Sequence, residues 1–299
     1  MPINFVYSPK FLEFGESGHP ESSARLKAIV DFLRKKRLDD FNVPRPCSGE
    51  DLMLVHTQEH VNKVRNNLFY DPDTPNARDI YLYAALSCGA AVEACRSAVE
   101  GRIAFALSRP PGHHAGKNSV GGFCYFNNIA VAIKKNVLKG GLKAAILDID
   151  GHHGNGTQEI FREEENVIYV SIHQLPAYPG TGSTSFANCY NFPLQGGSSV
   201  KKYMDRFMKA LSAIDAFSPD VIGISAGFDA HYADPLLELP LEDKEYYLMG
   251  KEISALGKKT FCVLEGGYNV SAIGNTCYCF IKGLTEKKDT HEEKSDSRL

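Results

Sequence analysis

The stretch LDIDGHHGNG, residues 147–156, follows an apolar run and packs two aspartates, two histidines and three glycines into ten positions. In an extended segment residues two apart face the same way, so Asp148, Asp150 and His152 share one face while Leu147 and Ile149 point into packing. Two carboxylates this close repel strongly unless a cation lies between them. The Asp150-x-His152 pair with a remote Asp229 supplies two oxygens and one imidazole. Three protein ligands with a fourth position left to water is the pattern of a catalytic zinc site, not a structural one. Gly151 and Gly154 let the backbone pass close to metal and substrate.

These residues need elements to hold them. The short apolar runs RIAFALS, KAAILDID, NVIYVSIH, DVIGISAG and KTFCVLEGG read as strands buried on both faces. Each ends in polar, reactive residues: His113 and His114, then Asp148, Asp150 and His152, then Ser171 and His173, then Asp229, then Tyr268. In open parallel sheets functional groups gather outside the carboxyl ends of the strands. Singly, every ending has an ordinary reading: a surface histidine pair, an aspartate in a turn, a packed loop tyrosine. Five together argue for a shared site. Between the strands, Leu26, Ile29, Val30 and Leu33 recur at helical spacing behind capping serines, and DIYLYAALSCGAAVEACRSAVEG predicts a closely packed helix stopping at Gly101. NNIAVAIKKNVLKGG, begun by Asn127 or Asn128, YMDRFMKALSAIDAF and EYYLMGKEISALGKK complete the predicted helices. The alternation predicts an α/β fold with a mainly parallel sheet.

Composition narrows the class. With 43% hydrophobic and 23% charged residues the chain reads as an ordinary globular protein, and no internal repeat or Pro/Ser linker divides its 299 residues, so one domain over 1–284 is expected. The polar end, 285–299, predicts a disordered tail. A net charge of -3 gives no reason to expect nucleic acid or an anionic membrane as a partner. No signal peptide or long apolar span is visible, and eight cysteines without a C-x-x-C pair read as reduced thiols, so a cytoplasmic protein is expected. Cys124 lies beside the candidate site, where a small buried core residue is the expected role.

RPPGHHA, GGFCYFNN, DIDGHHGNGTQ, SIHQ…YPGTG, SAGFDAH and LEGGYN, with HPESSARL and VHTQEHV before them, resemble in order and spacing the histone deacetylase family and its acetylpolyamine amidohydrolase relatives. The likeness runs from about residue 15 to residue 275. It implies the arginase–deacetylase fold, a single three-layer α/β/α domain with an eight-stranded sheet, and metal-dependent hydrolysis of an N-acyl amide. Carried over by position, Asp150, His152 and Asp229 would hold zinc, with iron the alternative in cells. His113 and His114 would form a catalytic pair, backed by Asp148 and Asn155, and Tyr268 would donate to the oxyanion. Structural potassium would sit among Asp148, Ser171 and the carbonyls of Asp150, His152 and Ile172, with an outer cation at the carbonyl of Phe161. Asparagine at 155 is neutral and orients His114 without raising its pKa by charge, whereas Asp148 favours protonated His113; the resemblance thus makes His114 the general base and then acid. Asn155 points to class II-like members, Tyr268 away from them, so the subclass stays open.

Gly122, Phe123 and Tyr178 match the family's tunnel walls, which suits the aliphatic stem of acetyl-lysine or an acetylated amine, and Asp73 aligns with a rim carboxylate. Polyamine-selective relatives carry an acidic gatekeeper after the Asp-Pro of SAGFDAHYADP; here Leu236 follows, which favours acetyl-lysine or a small neutral acyl-amine. An acetylpolyamine amidohydrolase remains the alternative. A binuclear ureohydrolase would want carboxylates where Gly154 and His231 stand, and an idle interaction module would not need the full set of reactive residues. Oligomeric state is left open.

Overall fold

The computed structural model describes residues 3–286. Eight strands form one sheet: β1 (Ile3–Val6), β2 (Phe41–Asn42), β3 (Ile103–Ala106), β4 (Ala144–Asp148), β5 (Val167–Gln174), β6 (Cys189–Leu194), β7 (Val221–Ala226) and β8 (Lys259–Leu264). Their order is β2-β1-β3-β8-β7-β4-β5-β6, and every neighbouring pair is parallel. The five strands expected from the sequence are the five adjacent central ones, β3-β8-β7-β4-β5. The three not foreseen lie outside them.

The nine α-helices of the described residues are α1 (Ser23–Lys35), α2 (Gly49–Leu52), α3 (Gln58–Arg65), α4 (Ile80–Val99), α5 (Asn128–Asn136), α6 (Asn155–Phe161), α7 (Val200–Phe217), α8 (Asp243–Ala255) and α9 (Ile273–Thr285). On one side α4 packs on α5 and on β1, β3 and β8; on the other, α9 packs on α1 and α8, and α7 on β4, β5 and β6. The result is the three-layer α/β/α domain expected. Parallel pairing explains the apolar strand runs, because both faces are covered: every residue of β4, β5 and β7 is buried.

Local expectations fare unevenly. Asn127 caps α5, its side chain accepting from the Ala130 amide at 3.1 Å, and α4 stops at Val99 just before Gly101, whose φ of 91° closes the turn. Ser22 stands at the start of α1, but its hydroxyl makes no capping bond. All eight cysteines are free, and Cys124 is a buried thiol facing the Gly122 carbonyl at 3.3 Å. Among the described residues no helix is long and apolar enough to cross a membrane. The expected tail begins inside α9, and from residue 287 it lies outside the described residues.

Candidate active site and metal centre

Because β4 pairs with β7 on one side and β5 on the other, with Asp148 level with Ser225 and Ser171, the loops after these strands open at one edge. There Asp150, His152 and Asp229 converge, with one ligand atom from each within 4.8 Å of the others. His152 Nδ1 faces Asp229 Oδ2 at 2.7 Å and Asp150 Oδ1 at 3.3 Å. Backbone amides fix the carboxylates: Gly151 donates to Asp229 Oδ1 at 2.6 Å and Gly266 to Asp150 Oδ2 at 2.7 Å. Burial, then the neighbouring Asp150, pushes the Asp229 carboxyl up to about 7. Two dry carboxylates and an imidazole aimed at one point have an excess of lone pairs that a divalent cation would satisfy, and oxygen/nitrogen donors of this kind suit zinc or iron. The residues fit such an ion.

The charge between Asp148 and Asp150 is a histidine ring. His113 Nδ1 lies 3.2 Å from Asp148 Oδ2 and its Nε2 3.8 Å from Asp150 Oδ1. Burial alone would strip its proton, but Asp150 and Asp148 outweigh burial and raise its pKa to about 10. The His113 ring thus lies between the two carboxylates that share this strand end. Burial raises Asp148 itself, against His113 and the Tyr169 hydroxyl, which donates at 2.9 Å. His114 differs. Its Nδ1 donates to Asn155 Oδ1 at 2.8 Å, and burial followed by the charges of His113 and His152 holds its pKa well below the ordinary range. The two rings lie 3.9 Å apart between centroids, and their surroundings push their pKa values in opposite directions.

His114, His152 and Tyr268 line a cavity of about 420 Å³, together with Gly122, Phe123, Tyr178, Leu236 and Asp73, all expected from the sequence, and Gln174, Pro176, Ala177 and Leu237, which were not. Tyr178 meets His114 edge-on at 5.0 Å, and Phe123 meets Tyr268 at 5.8 Å. Gly122 is at φ 51°, and a Cβ there would come within 2.3 Å of His114 Cδ2. Asp73 sits at the rim, its carbonyl accepting from His19 Nε2 at 3.2 Å. Ser171 and Ile172 lie on β5 beside the β4 terminus, where Ser171 Oγ pairs with His173 Nδ1 at 2.8 Å. Phe161 stands apart. Its carbonyl accepts from the Glu164 amide at 2.9 Å and from Asn188 Nδ2 at 2.7 Å.

Several neighbours escape a reading by letters. Tyr169 precedes Ser171 by two on the same face of β5, a period-two signal available in the sequence. Glu265 is buried under the histidine loop, Oε2 accepting from the Gly112 and His113 amides at 2.7 and 3.2 Å. Arg25, within HPESSARL, donates to the carbonyls of Gly267 and Glu265 at 2.5 and 2.6 Å.

The histone deacetylase domain family matches residues 19–284. The chain belongs to the histone deacetylase family. A "probable deacetylase" of Methanothermobacter thermautotrophicus is 36% identical, covering 93% of this chain and 89% of that protein. The crystal structure of the HDA15 HD domain superposes with a TM-score of 0.87 at 34% identity, covering 94% of this chain and 89% of that one. An acetylpolyamine aminohydrolase from Burkholderia pseudomallei superposes equally well, TM-score 0.87, at 25% identity over 94% of this chain and 98% of that one. Family and metal triad together make this deacetylase family member a metal-dependent hydrolase acting on an acylated amine.

Proposed function

We propose that the chain removes acetyl, or a similar acyl group, from the side-chain amine of lysine or a like amine, releasing acetate. The observation that carries this reading is the buried Asp150/His152/Asp229 triad, whose His152 lines one cavity with His114 and Tyr268. A divalent ion held there, zinc or in cells iron, would polarise the acyl carbonyl and lower the pKa of water. His114 supplies the base: with Nδ1–H committed to Asn155, its Nε2 lone pair takes the proton of the attacking water and later returns it to the leaving amine. His113, charged between Asp148 and Asp150, contributes a fixed positive field. Burial keeps the Tyr268 hydroxyl protonated, so it donates to the developing oxyanion.

The walls favour an aliphatic stem. Phe123 and Tyr178 flank the cavity and each methylene buried between them contributes about 0.8 kcal/mol. Leu236 at the mouth offers no charge to a polyamine, which supports acetyl-lysine or a neutral acyl-amine, and Asp73 would orient the substrate from the rim. A potassium ion beside Asp148, Ser171 and Ile172, cytoplasmic residence and no nucleic-acid contact complete the reading.

The test is a matched panel of acetyl-lysine peptide, acylated fluorogenic lysines, acetylspermidine and acetylputrescine, with metal content measured alongside. We expect one divalent ion per chain and preference for the lysines. A preference above about tenfold for the polyamines, roughly 1.4 kcal/mol, rejects the Leu236 argument. Inactivity toward every acyl-amine with metal bound rejects the enzyme reading.

A further inference from the structure

The loop carrying Tyr268 joins β8 to α9 and is held from two sides. Arg25 grips the carbonyls of Glu265 and Gly267 from beneath. Facing it is the loop after β7. The Phe228 amide donates to the Gly266 carbonyl at 3.0 Å, and Asn269 Nδ2 donates to the Ala233 carbonyl at 2.6 Å. The shortest link to the tyrosine itself is the Tyr268 amide, which donates to Asp234 Oδ2 at 2.6 Å. Asp234 is only 7% exposed, and its other oxygen, Oδ1, accepts from the Leu236 amide at 3.0 Å. Its hydrogen-bond partners are thus two backbone amides, one beneath the cavity's tyrosine and one beneath the leucine at its mouth.

A carboxylate is a demanding occupant for a nearly dry position. What it provides over a neutral group is two acceptor oxygens whose bonds to N–H donors are about twice as strong as neutral ones. We propose that Asp234 is a positioning residue for Tyr268: one buried carboxylate ties the backbone under the oxyanion donor to the mouth loop, and so fixes where the tyrosine hydroxyl sits over the triad. The proposal rests on the role given to Tyr268 above. Asparagine at 234 keeps the shape but offers one acceptor oxygen, and its NH2 cannot accept, so one of the two amides loses its partner. The aromatic walls Phe123 and Tyr178 make no hydrogen bond to Asp234, so substrate binding should change little while oxyanion donation weakens.

The experiment is a double-mutant cycle of Asp234→Asn and Tyr268→Phe, read on a fluorogenic acetyl-lysine with metal content and Tm recorded for each protein. Tyr268→Phe should lower kcat by about 10²–10³. Asp234→Asn should lower kcat by roughly 10- to 100-fold with KM within about threefold and metal content unchanged, and by less than about threefold once Tyr268 is already phenylalanine. Equal losses in both backgrounds, or wild-type kcat in Asp234→Asn, overturn the proposal and leave the functional reading standing. Wild-type turnover in Tyr268→Phe overturns the oxyanion reading, and the proposal with it. Should Asp234→Asn fail to fold, Asp234→Glu, which keeps two oxygens at a shifted distance, gives the same cycle with the same criteria.

Discussion

Replacing Glu21 by glutamine should weaken this fold more than any surface change. Glu21 sits between two arginines that are wholly buried, and is itself 5% exposed. Its Oε1 accepts from Arg109 Nε at 2.5 Å and Arg25 Nη1 at 2.9 Å, and its Oε2 from Arg109 Nη2 at 2.7 Å. Both oxygens face donors, so the NH2 of Glu21→Gln would confront a guanidinium whichever way it turned. The centre would also pass from one net positive charge to two, left to backbone carbonyls such as those of Phe11, Glu265 and Gly267, to the ring faces of Tyr268 and Phe14, and to the more distant Asp234. Breaking a buried pair by removing one partner costs about 3–5 kcal/mol. At an unfolding entropy of about 2.1 cal/mol/K per residue, that lowers Tm by roughly 5–8 °C in a chain of this length. Burial pushes the Glu21 carboxyl up, but Arg109 and then Arg25 outweigh it and the net shift is down. A depressed carboxyl contributes stability that is present above its unfolded value, about 4.3, and lost as pH falls through the folded one. Calorimetry at pH 7 and at steps below 4.3 should therefore show the gap between wild type and Glu21→Gln narrowing with acid. A gap under about 1 °C at pH 7, or one that widens as pH falls, refutes the reasoning.

Three further outcomes are expected. Gly122→Ala, whose Cβ would approach His114 Cδ2 to 2.3 Å and Tyr178 Cε1 to 2.8 Å at a positive φ, should lose about 10²-fold or more in kcat/KM while keeping its metal; steady-state kinetics with metal analysis check it. Leu236→Glu should raise the ratio of acetylspermidine to acetyl-lysine turnover by at least about tenfold, and an unchanged ratio would remove Leu236 from selectivity. Tyr169→Phe deletes a hydroxyl that donates to Asp148 and should cost about 1.5–3 kcal/mol, read as a lower urea midpoint at unchanged m; an unmoved midpoint contradicts the charge-assisted bond.

Sequence and structure agree where the signal is local. The metal motif is legible because Asp150 and His152 are two apart, and Asp229 because a buried strand delivers it beside them. The five central strands announce themselves as unbroken apolar runs because helices cover both their faces. β1 is four residues with two half-buried, β2 is two residues, and β6, CYNFPL, alternates with an asparagine and a proline inside it. Nothing in such segments separates an edge strand from a loop until a neighbour pairs with it. Glu21, Arg25 and Asp234 were opaque for a related reason: near a helix start or in a turn, charged residues usually face water. Their significance lies in partners more than 30 residues away, up to 242 for the Arg25 bond to Gly267. The Phe161 carbonyl shows the same limit, since the donors that share it, the Glu164 amide and Asn188 Nδ2, are seen only once the chain is folded.

At the two positions where a ureohydrolase would want carboxylates this chain has Gly154 and His231. A Cβ at Gly154 would lie 2.2 Å from Asp148 Oδ2, 2.7 Å from the Tyr169 hydroxyl and 3.1 Å from His113 Nδ1, so no side chain enters there without dislodging the Asp148–His113 pair. His231 accepts the Ala233 amide at 3.2 Å through Nδ1, which leaves its Nε2 proton directed at Asp243, 3.9 Å away on α8. Neither position carries a carboxylate. Next to the triad stands His113, whose ring lies between Asp148 and Asp150. Burial first, and then the neighbouring His113, lowers the pKa of His114. The two neighbouring rings thus sit in opposite surroundings, His113 between two carboxylates and His114 against the neutral Asn155, and this asymmetry is what the proton-transfer roles proposed above rest on.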